Sequence, residues 1–401
     1  MLCVPSIFLP LVVAVGVALA GGCATGGVNP AGSQPPNDSA MYVVRLGQDT
    51  SYLQWIVRSG HNVRMDIVER IPRVRLLRTM LTQNPDGSVA SLERRAYLPA
   101  QSNPAIVERV VVRVVGDSTI IETTGSGVAT RHAARGRGHI VVTPFLAASY
   151  PVIAPYAPTR AGDSILTQAF SADFGDRVVT IKRVATDSFT IYSDILGTIR
   201  MRLDERGRGE SFSGVGSSIN TEGARAPWLP VDSVLLAFAA RERATGVVGA
   251  ASPRDTARAN LSGANLVVDY GRPAKRGRQV FGGVVPWNRV WRTGANLATH
   301  FTTDRTLRFG DAELPPGRYT MWTLPAESGW MFIVNNQTNQ WGTDHDPRFD
   351  RFRVPMQVTS LNAPVERFTI LVEPVSGNAA GGVIRLRWDT LEASVPFTVI
   401  R

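Results

Sequence analysis

The stretch that decides the fold is Ile106–Thr124, which reads IVERVVVRVVGDSTIIETT. β-Branched residues dominate it, and apolar and polar positions alternate with the period of two that a half-buried strand requires. Gly116-Asp117 separates its two halves, and such a dipeptide between two β runs is typical of a tight hairpin turn. The stretch therefore predicts two antiparallel strands, Ile106–Val115 and Ser118–Thr124.

The same pattern extends to both sides of this hairpin, from Met41 to about Gly223. Short turns such as Ser59–Asn62 and Asn84–Gly87 interrupt it at intervals typical of a meander. We predict an antiparallel β domain over residues 41–225, built as one strongly curved sheet. The pattern resembles the half-barrels of periplasmic lipoprotein carriers, and that resemblance implies a concave face that carries a lipid or another hydrophobic molecule.

A helix is predicted over residues 229–246, after the curved sheet. Pro230 and Gly246 stand where helix-end preferences place them. Four apolar residues fall at i, i+3, i+4 and i+7 and share one face: Val231, Val234, Leu235 and Phe238. Because that face must pack on a sheet, we interpret the helix as the connector between two domains.

The period of two returns from Ala251 to the end of the chain. Pro315-Pro316-Gly317 is a turn that leads into the aromatic strand Arg318–Leu324, an arrangement frequent in β-sandwiches. We predict a β-sandwich over residues 251–401. The expected fold class is mainly β: an N-terminal antiparallel curved sheet of half-barrel type, a connecting helix and a C-terminal β-sandwich.

The N-terminus resembles an export signal. Ile7–Ala20 is an apolar run too short to span a bilayer and suited to the core of a signal peptide. Ala20-Gly21-Gly22-Cys23 resembles a bacterial lipobox, which predicts a signal peptide over residues 1–22 and lipid attachment at Cys23. Ordinary signal cleavage after Ala20 is the alternative.

Residues 23–40 are rich in Gly, Pro, Ser and Asn and are predicted to be a flexible tether. We therefore expect an exported, lipid-anchored protein of the cell envelope that faces the periplasm or the cell surface. The chain has only Cys3 and Cys23, and the first would leave with the signal. Disulfides and cysteine-based sites are therefore excluded.

The formal net charge of +10 raises the question of nucleic-acid binding. Only Lys182 and Lys275 are lysines; the other basic residues are arginines spread along the chain. A nucleic-acid interface requires a clustered basic face, so we predict no nucleic-acid partner.

The C-terminal half contains a series of uncommon short motifs in a fixed order, namely Ser252–Thr256, Asp269–Pro273, Lys275–Arg278, Val285–Trp287, Val290–Asn296, Pro316–Tyr319, Asn335, Trp341–Thr343 and Ser394–Phe397. With these motifs the C-terminal half strongly resembles the bacterial family known as domain of unknown function 2911. The resemblance covers residues 251–400 and implies an exported β-rich domain without an assigned activity.

The motif Val290–Asn296 (VWRTGAN) is the first candidate site. Arg292 carries a planar fork of donors, and Asn296 offers a donor and an acceptor. Flat apolar faces come from four tryptophans, Trp287, Trp291, Trp322 and Trp341. These groups suit stacking on a sugar or the binding of a carboxylate or phosphate. In the alternative interpretation Arg292 and Asn296 hold loop backbone while the tryptophans fill the core.

A compact basic loop is the second candidate, either as an anion site or as a solvated turn. Its residues are Tyr270, Arg272, Lys275, Arg276 and Arg278.

A third cluster combines acidic residues with a histidine: Asp344, His345, Asp346 and Asp350. It lacks the glycine and the closing glutamate of an EF-hand, so we predict no calcium site of that type. The five histidines lack zinc-ligand spacing. No nucleophile motif has its partner residues, and no catalytic group or cofactor is predicted.

The sequence thus favours a non-enzymatic envelope protein that binds a small molecule, a glycan or a protein partner. Two alternatives stay open. One is a hydrolase of envelope polymers that uses the carboxylates of the acidic cluster or a metal ion. The other is a carrier that holds a lipid or hydrophobic molecule in the curved sheet.

Overall fold

The computed structural model describes residues 35, 37–99, 106–125, 129–142, 150–171, 176–194, 197–217 and 220–400. The predicted signal peptide, Cys23 and most of the predicted tether lie outside these residues. The fold is mainly β, with a nearly closed N-terminal antiparallel sheet, a short helix and a separate C-terminal sheet, which confirms the predicted fold class. Within the described ranges, no helix is long and apolar enough to cross a membrane.

The N-terminal sheet contains fifteen strands. They are β1 (Asp38–Leu46), β2 (Asp49–Ser59), β3 (Asn62–Glu69), β4 (Arg75–Gln83), β5 (Val89–Tyr97), β6 (Ile106–Val115), β7 (Ser118–Gly125), β8 (Thr130–Arg135), β9 (Ile140–Val142), β10 (Ser164–Ser171), β11 (Arg177–Ala185), β12 (Ser188–Ser193), β13 (Gly197–Leu203), β14 (Gly209–Ser213) and β15 (Glu222–Ala226).

The C-terminal sheet contains nine strands. They are β16 (Arg254–Leu261), β17 (Ala264–Gly271), β18 (Thr299–Thr303), β19 (Leu307–Phe309), β20 (Ala312–Leu314), β21 (Gly317–Leu324), β22 (Trp330–Asn335), β23 (Asp350–Val375) and β24 (Asn378–Val399). Two α-helices, α1 (Tyr150–Ile153) and α2 (Val231–Thr245), and two 3-10 turns, Ala154–Tyr156 and Pro347–Phe349, complete the described elements.

The N-terminal sheet is a meander whose first strand lies in its middle. β1 pairs with β2 on one side and with β15 on the other, so the strand order runs from β8 to β1 and then from β15 back to β9. The two edge strands, β8 and β9, are joined by residues 136–139. His139 in this link donates from Nε2 to the Asp86 carbonyl at 2.7 Å. Its Nδ1 lies 2.6 Å from the Thr167 hydroxyl of β10, and the sheet is thereby almost closed.

The inner face of this sheet surrounds one apolar core, which also contains residues of the segment 150–157 between β9 and β10. Tyr150, Val152 and Ile153 of α1 are buried in that core. The Tyr150 ring packs edge-on against Phe212 with centroids 5.9 Å apart. Arg58, itself buried, donates to the Val152 carbonyl at 2.7 Å and fixes the segment inside the sheet. The concave face is therefore covered by a segment of the chain itself.

Helix α2 packs on the outer face of the same sheet. Val234 belongs to an apolar cluster with Trp55 and Leu76, which project from the outer face of β2 and β4. The backbone N–H of Val74 donates to the Glu242 carboxylate at 2.6 Å, which fixes the C-terminal half of the helix. Because these contacts all go to the N-terminal domain, the helix is part of that domain's surface.

The C-terminal strands form one sheet that folds over a single core. The long strands β23 and β24 belong to both halves: β23 pairs with β22 near its start and with β24 from Gln357 onward. Phe309 of β19 stacks on Phe332 of β22 at 5.5 Å, although these strands are not neighbours in the sheet. The two halves therefore face one another as the layers of a sandwich do.

Two predicted boundaries differ from the structure. β1 begins at Asp38, inside the segment predicted as tether, because Asp38 pairs with Arg58 of β2. Helix α2 is slightly shorter than residues 229–246 because Pro230 is its N-cap and Gly246 its C-cap.

Candidate functional site

The structure divides the candidate aromatic residues into two groups. Tyr270, Trp291 and Trp322 are buried. Trp291 stacks on Trp388 at 6.0 Å and serves the C-terminal core, as the alternative interpretation of the tryptophans predicted. Trp287 and Trp341 are half-buried.

The cations of the predicted basic loop are bound within the protein. Arg272 forms an ion pair with Asp255 at 3.2 Å and donates to the Phe368 carbonyl. Lys275 pairs with Asp389 at 2.5 Å. Arg278 donates to the Ala274 and Lys275 carbonyls and so stabilises its own turn, which makes the loop neither a free anion site nor a solvated turn.

Arg276 of this loop forms the joint between the two domains. Its guanidinium pairs with Asp49, the first residue of β2. Its carbonyl accepts a hydrogen bond from the Gln48 N–H at 3.0 Å. Gly47 lies so close that a Cβ there would be 2.3 Å from the same carbonyl oxygen. We refer to Gly47–Asp49 and Lys275–Arg278 as the domain joint.

The loop Val290–Asn296 is fixed on both sides, which positions Arg292. Trp291 exchanges backbone hydrogen bonds with Thr323 of β21 at 2.7 and 3.0 Å. The Thr299 hydroxyl donates to the Thr293 carbonyl at 2.7 Å. Thr293 and Asn296 have positive φ, a conformation that costs free energy and persists only where surrounding contacts determine it.

Arg292 is half-buried beside the Asn296 carbonyl and Gly342. Its side chain is closely surrounded by protein yet keeps accessible surface. One guanidinium N–H donates to the Asn296 carbonyl at 3.1 Å, and the Gly342 N–H donates to the same oxygen at 3.0 Å. A Cβ at Gly342 would lie 2.2 Å from Arg292 Cδ, so the close approach requires glycine. The structure thus brings together Arg292, Asn296 and the Trp341–Gly342 strand segment.

The electrostatics around Arg292 are unusual for an arginine. Desolvation lowers the pKa of Arg292 to about 10, and the Asp344 carboxylate partly offsets this shift. Burial raises the pKa of Asp344 itself, against the opposing effect of Arg177. A second charged residue, Asp194, raises the pKa of Asp344. Both Arg177 and Asp194 belong to the N-terminal domain, and no local sequence pattern links them to Asp344.

Asp346, His345 and Asp350 of the acidic cluster each form specific pairs. Asp346 binds Arg348 and caps the 3-10 turn Pro347–Phe349. Asp350 accepts a hydrogen bond from His345 Nε2 at 2.8 Å and pairs with Arg353. In the part of the chain that the structure describes, no three His, Cys, Asp or Glu side chains converge as metal ligands. Within the described residues, His345 and Asp350 lie together, whereas Asp346 is bound to Arg348.

Comparison with known proteins adds two likenesses. No curated protein matches the chain. Among solved structures, the chain is similar to a β-barrel-like protein of domain of unknown function DUF1849 from Brucella abortus, at 11% identity and a TM-score of 0.32. The match covers 48% of this chain and 97% of that one. Residues 252–397 match the family model described as protein of unknown function (DUF2911), which confirms the resemblance seen in the C-terminal sequence.

Proposed function

We propose that the protein is a non-enzymatic binding protein of the cell envelope that binds a small ligand bearing a carboxylate or phosphate at Arg292. The proposal rests on the Arg292 guanidinium, which is desolvated. Among the described residues it donates one hydrogen bond, to the Asn296 carbonyl. An arginine has five N–H donors, and the free edge of its fork matches the two oxygens of a carboxylate or phosphate.

The surroundings of Arg292 suit such a ligand. Its lowered pKa means that the protein does not fully compensate the charge, so an incoming anion would be favourable there. The Asp344 carboxylate nearby would favour ligands that carry a hydrogen-bond donor beside their anionic group. The half-buried ring of Trp341 adds an apolar surface beside the cation.

The experiment is a titration of the chain with sugar acids, sugar phosphates and dicarboxylates, followed by thermal shift and calorimetry. A ligand that stabilises the wild type should not stabilise Arg292→Ala. Arg292→Lys should bind at least about tenfold more weakly, because lysine keeps the charge but loses the fork. Arg289→Ala, an exposed arginine of the same region, is the matched control and should bind as the wild type does.

Wild-type affinity in Arg292→Lys would contradict the proposal, and this variant stays informative even if Arg292→Ala fails to fold. A screen without any hit would redirect the search to a protein partner.

The location in the envelope rests on the lipobox-like sequence at Cys23 and the Gly/Pro-rich segment that follows it. We expect labelled palmitate to be incorporated into the expressed protein and not into Cys23→Ser. Equal labelling of the two would show that Cys23 is not the acceptor.

A further inference from the structure

Three apolar side chains are exposed side by side on the outer face of β10, β11 and β12. Leu166, Val178 and Tyr192 are 74%, 63% and 51% exposed. Thr180 of β11 is the cross-strand partner of both Leu166 and Tyr192, and Val178 is two residues away on the same face. In β11 and β12 the alternate residues Val179, Ile181 and Ile191 face the core and are fully buried, so the exposure belongs to an ordered sheet.

Basic residues occupy the adjacent cross-strand rows. Lys182 pairs in register with Thr190, and Thr190 pairs with Arg200 of β13. Lys182 and Arg200 are exposed, and neither forms an ion pair with another described residue. Arg202, one row further, is 3.7 Å from the nearest carboxylate, that of Asp187. We call Leu166, Val178, Lys182, Tyr192, Arg200 and Arg202 the lateral patch.

A groove of about 840 Å³ extends from the lateral patch toward β1. Arg45, Arg200 and Arg202 line it together with small hydroxyl residues, Ser188, Thr190, Ser211 and Ser213. Two further charged residues line it: Arg225 is paired with Asp38, and the Glu222 carboxylate accepts a hydrogen bond from the Ser213 hydroxyl, so the cations of the groove outnumber its one carboxylate. Guanidinium groups and hydroxyls are the donors that proteins present to phosphate oxygens. The groove therefore has the chemistry of a site for phosphate groups, next to an apolar surface.

We infer that the lateral patch and its groove bind the surface of a bilayer that contains anionic phospholipids. The apolar side chains lie at the boundary between headgroups and acyl chains, while the cations and hydroxyls contact phosphates. Exposed apolar patches with a polar rim mark interaction surfaces, and basic residues near an anionic leaflet each strengthen binding. A soluble polyanion would use the cations but would leave Leu166 and Val178 in water.

The test uses a fluorescent reporter of the lateral patch. The full chain carries Cys3→Ser and Cys23→Ser, and a nitrobenzoxadiazole label is attached at Leu166→Cys. On vesicles of phosphatidylcholine with phosphatidylglycerol, the label should increase in intensity and shift to the blue; on phosphatidylcholine alone it should not. The control label is at Met80→Cys, on an outer position of β4 that is also exposed (58%), and it should not respond.

Charge reversal provides the second arm. Lys182→Glu with Arg200→Glu should weaken the response at least about 25-fold, since each cation near an anionic surface contributes about fivefold. Arg258→Glu with Arg289→Glu changes the net charge equally at exposed positions of the C-terminal domain and should leave it intact. Equal responses at Leu166→Cys and Met80→Cys would overturn the inference. So would equal effects of the two charge reversals, or binding of a soluble acidic polysaccharide without any response to vesicles.

Discussion

The ion pair of Asp346 with Arg348 stabilises a turn and lowers the pKa of the Asp346 carboxyl. Its carboxylate accepts hydrogen bonds from the Arg348 guanidinium and backbone N–H, which lower its pKa from 3.8 to about 2. Because the pKa is depressed in the folded state, the stabilising effect is complete above pH 3.8 and disappears as the pH falls toward about 2. We expect Arg348→Ala to raise the NMR titration midpoint of Asp346 from about 2 part of the way toward 3.8, because the side-chain hydrogen bonds are lost while the backbone N–H of residue 348 still donates. An unchanged midpoint in Arg348→Ala, equal to that of the control Arg351→Ala, would exclude the ion pair as the cause.

At the scale of elements, α2 offers two positions with opposite surroundings. Val234 is 8% exposed and packs on the N-terminal sheet, whereas Leu236 is 64% exposed. Val234→Asp places a carboxylate among apolar side chains and should lower the free energy of unfolding by about 2–3 kcal/mol. Leu236→Asp should change it by no more than about 0.5 kcal/mol. Urea unfolding measures both, and similar losses in the two variants would mean that the helix is not docked as described.

At the scale of the whole molecule, the domain joint determines how the two β domains are held together. Gly47 and Gly116 both occupy hairpin turns, with φ of 62° and 61°. A Cβ at Gly47 would meet the Arg276 carbonyl, whereas one at Gly116 has nothing within 4 Å. Gly47→Ala and Gly116→Ala should therefore share the cost of about 1–2 kcal/mol for an alanine in this conformation. Only Gly47→Ala should also open the joint and increase the radius of gyration in small-angle scattering. Identical scattering from the two variants would show that the joint does not depend on this contact.

The features that were predictable are those set by neighbouring residues. The hairpin at Gly116-Asp117 has the expected register, with Val115 opposite Ser118, because turn chemistry and side-chain alternation are local. The extent of α2 was similarly visible in its apolar spacing and terminal residues. Arg292 and the Gly342 N–H both contact the Asn296 carbonyl, and nothing in the sequence spacing of these residues predicts that contact.

The features that were not predictable depend on pairing between distant parts of the chain. Composition alone does not separate Trp291, which fills the core, from Trp341, which keeps exposed surface. The contact of Arg276 with Asp49 joins two domains. The two halves of the N-terminal sheet are joined by the pairing of β1 with β15, which leaves no signal in either strand.

The central position of β1 has a consequence for the order of folding. Strands β1 to β8 pair with sequence neighbours and can form as soon as they emerge, since short loops close at little entropic cost. The second edge of β1, however, has no partner until residues 222–226 have been made. We therefore expect the seam between β1 and β15 to be the last and slowest part of the N-terminal sheet to form, because pairing of such high contact order is slow. Until then β1 presents an open edge, the element of the newly made chain most exposed to pairing with another molecule.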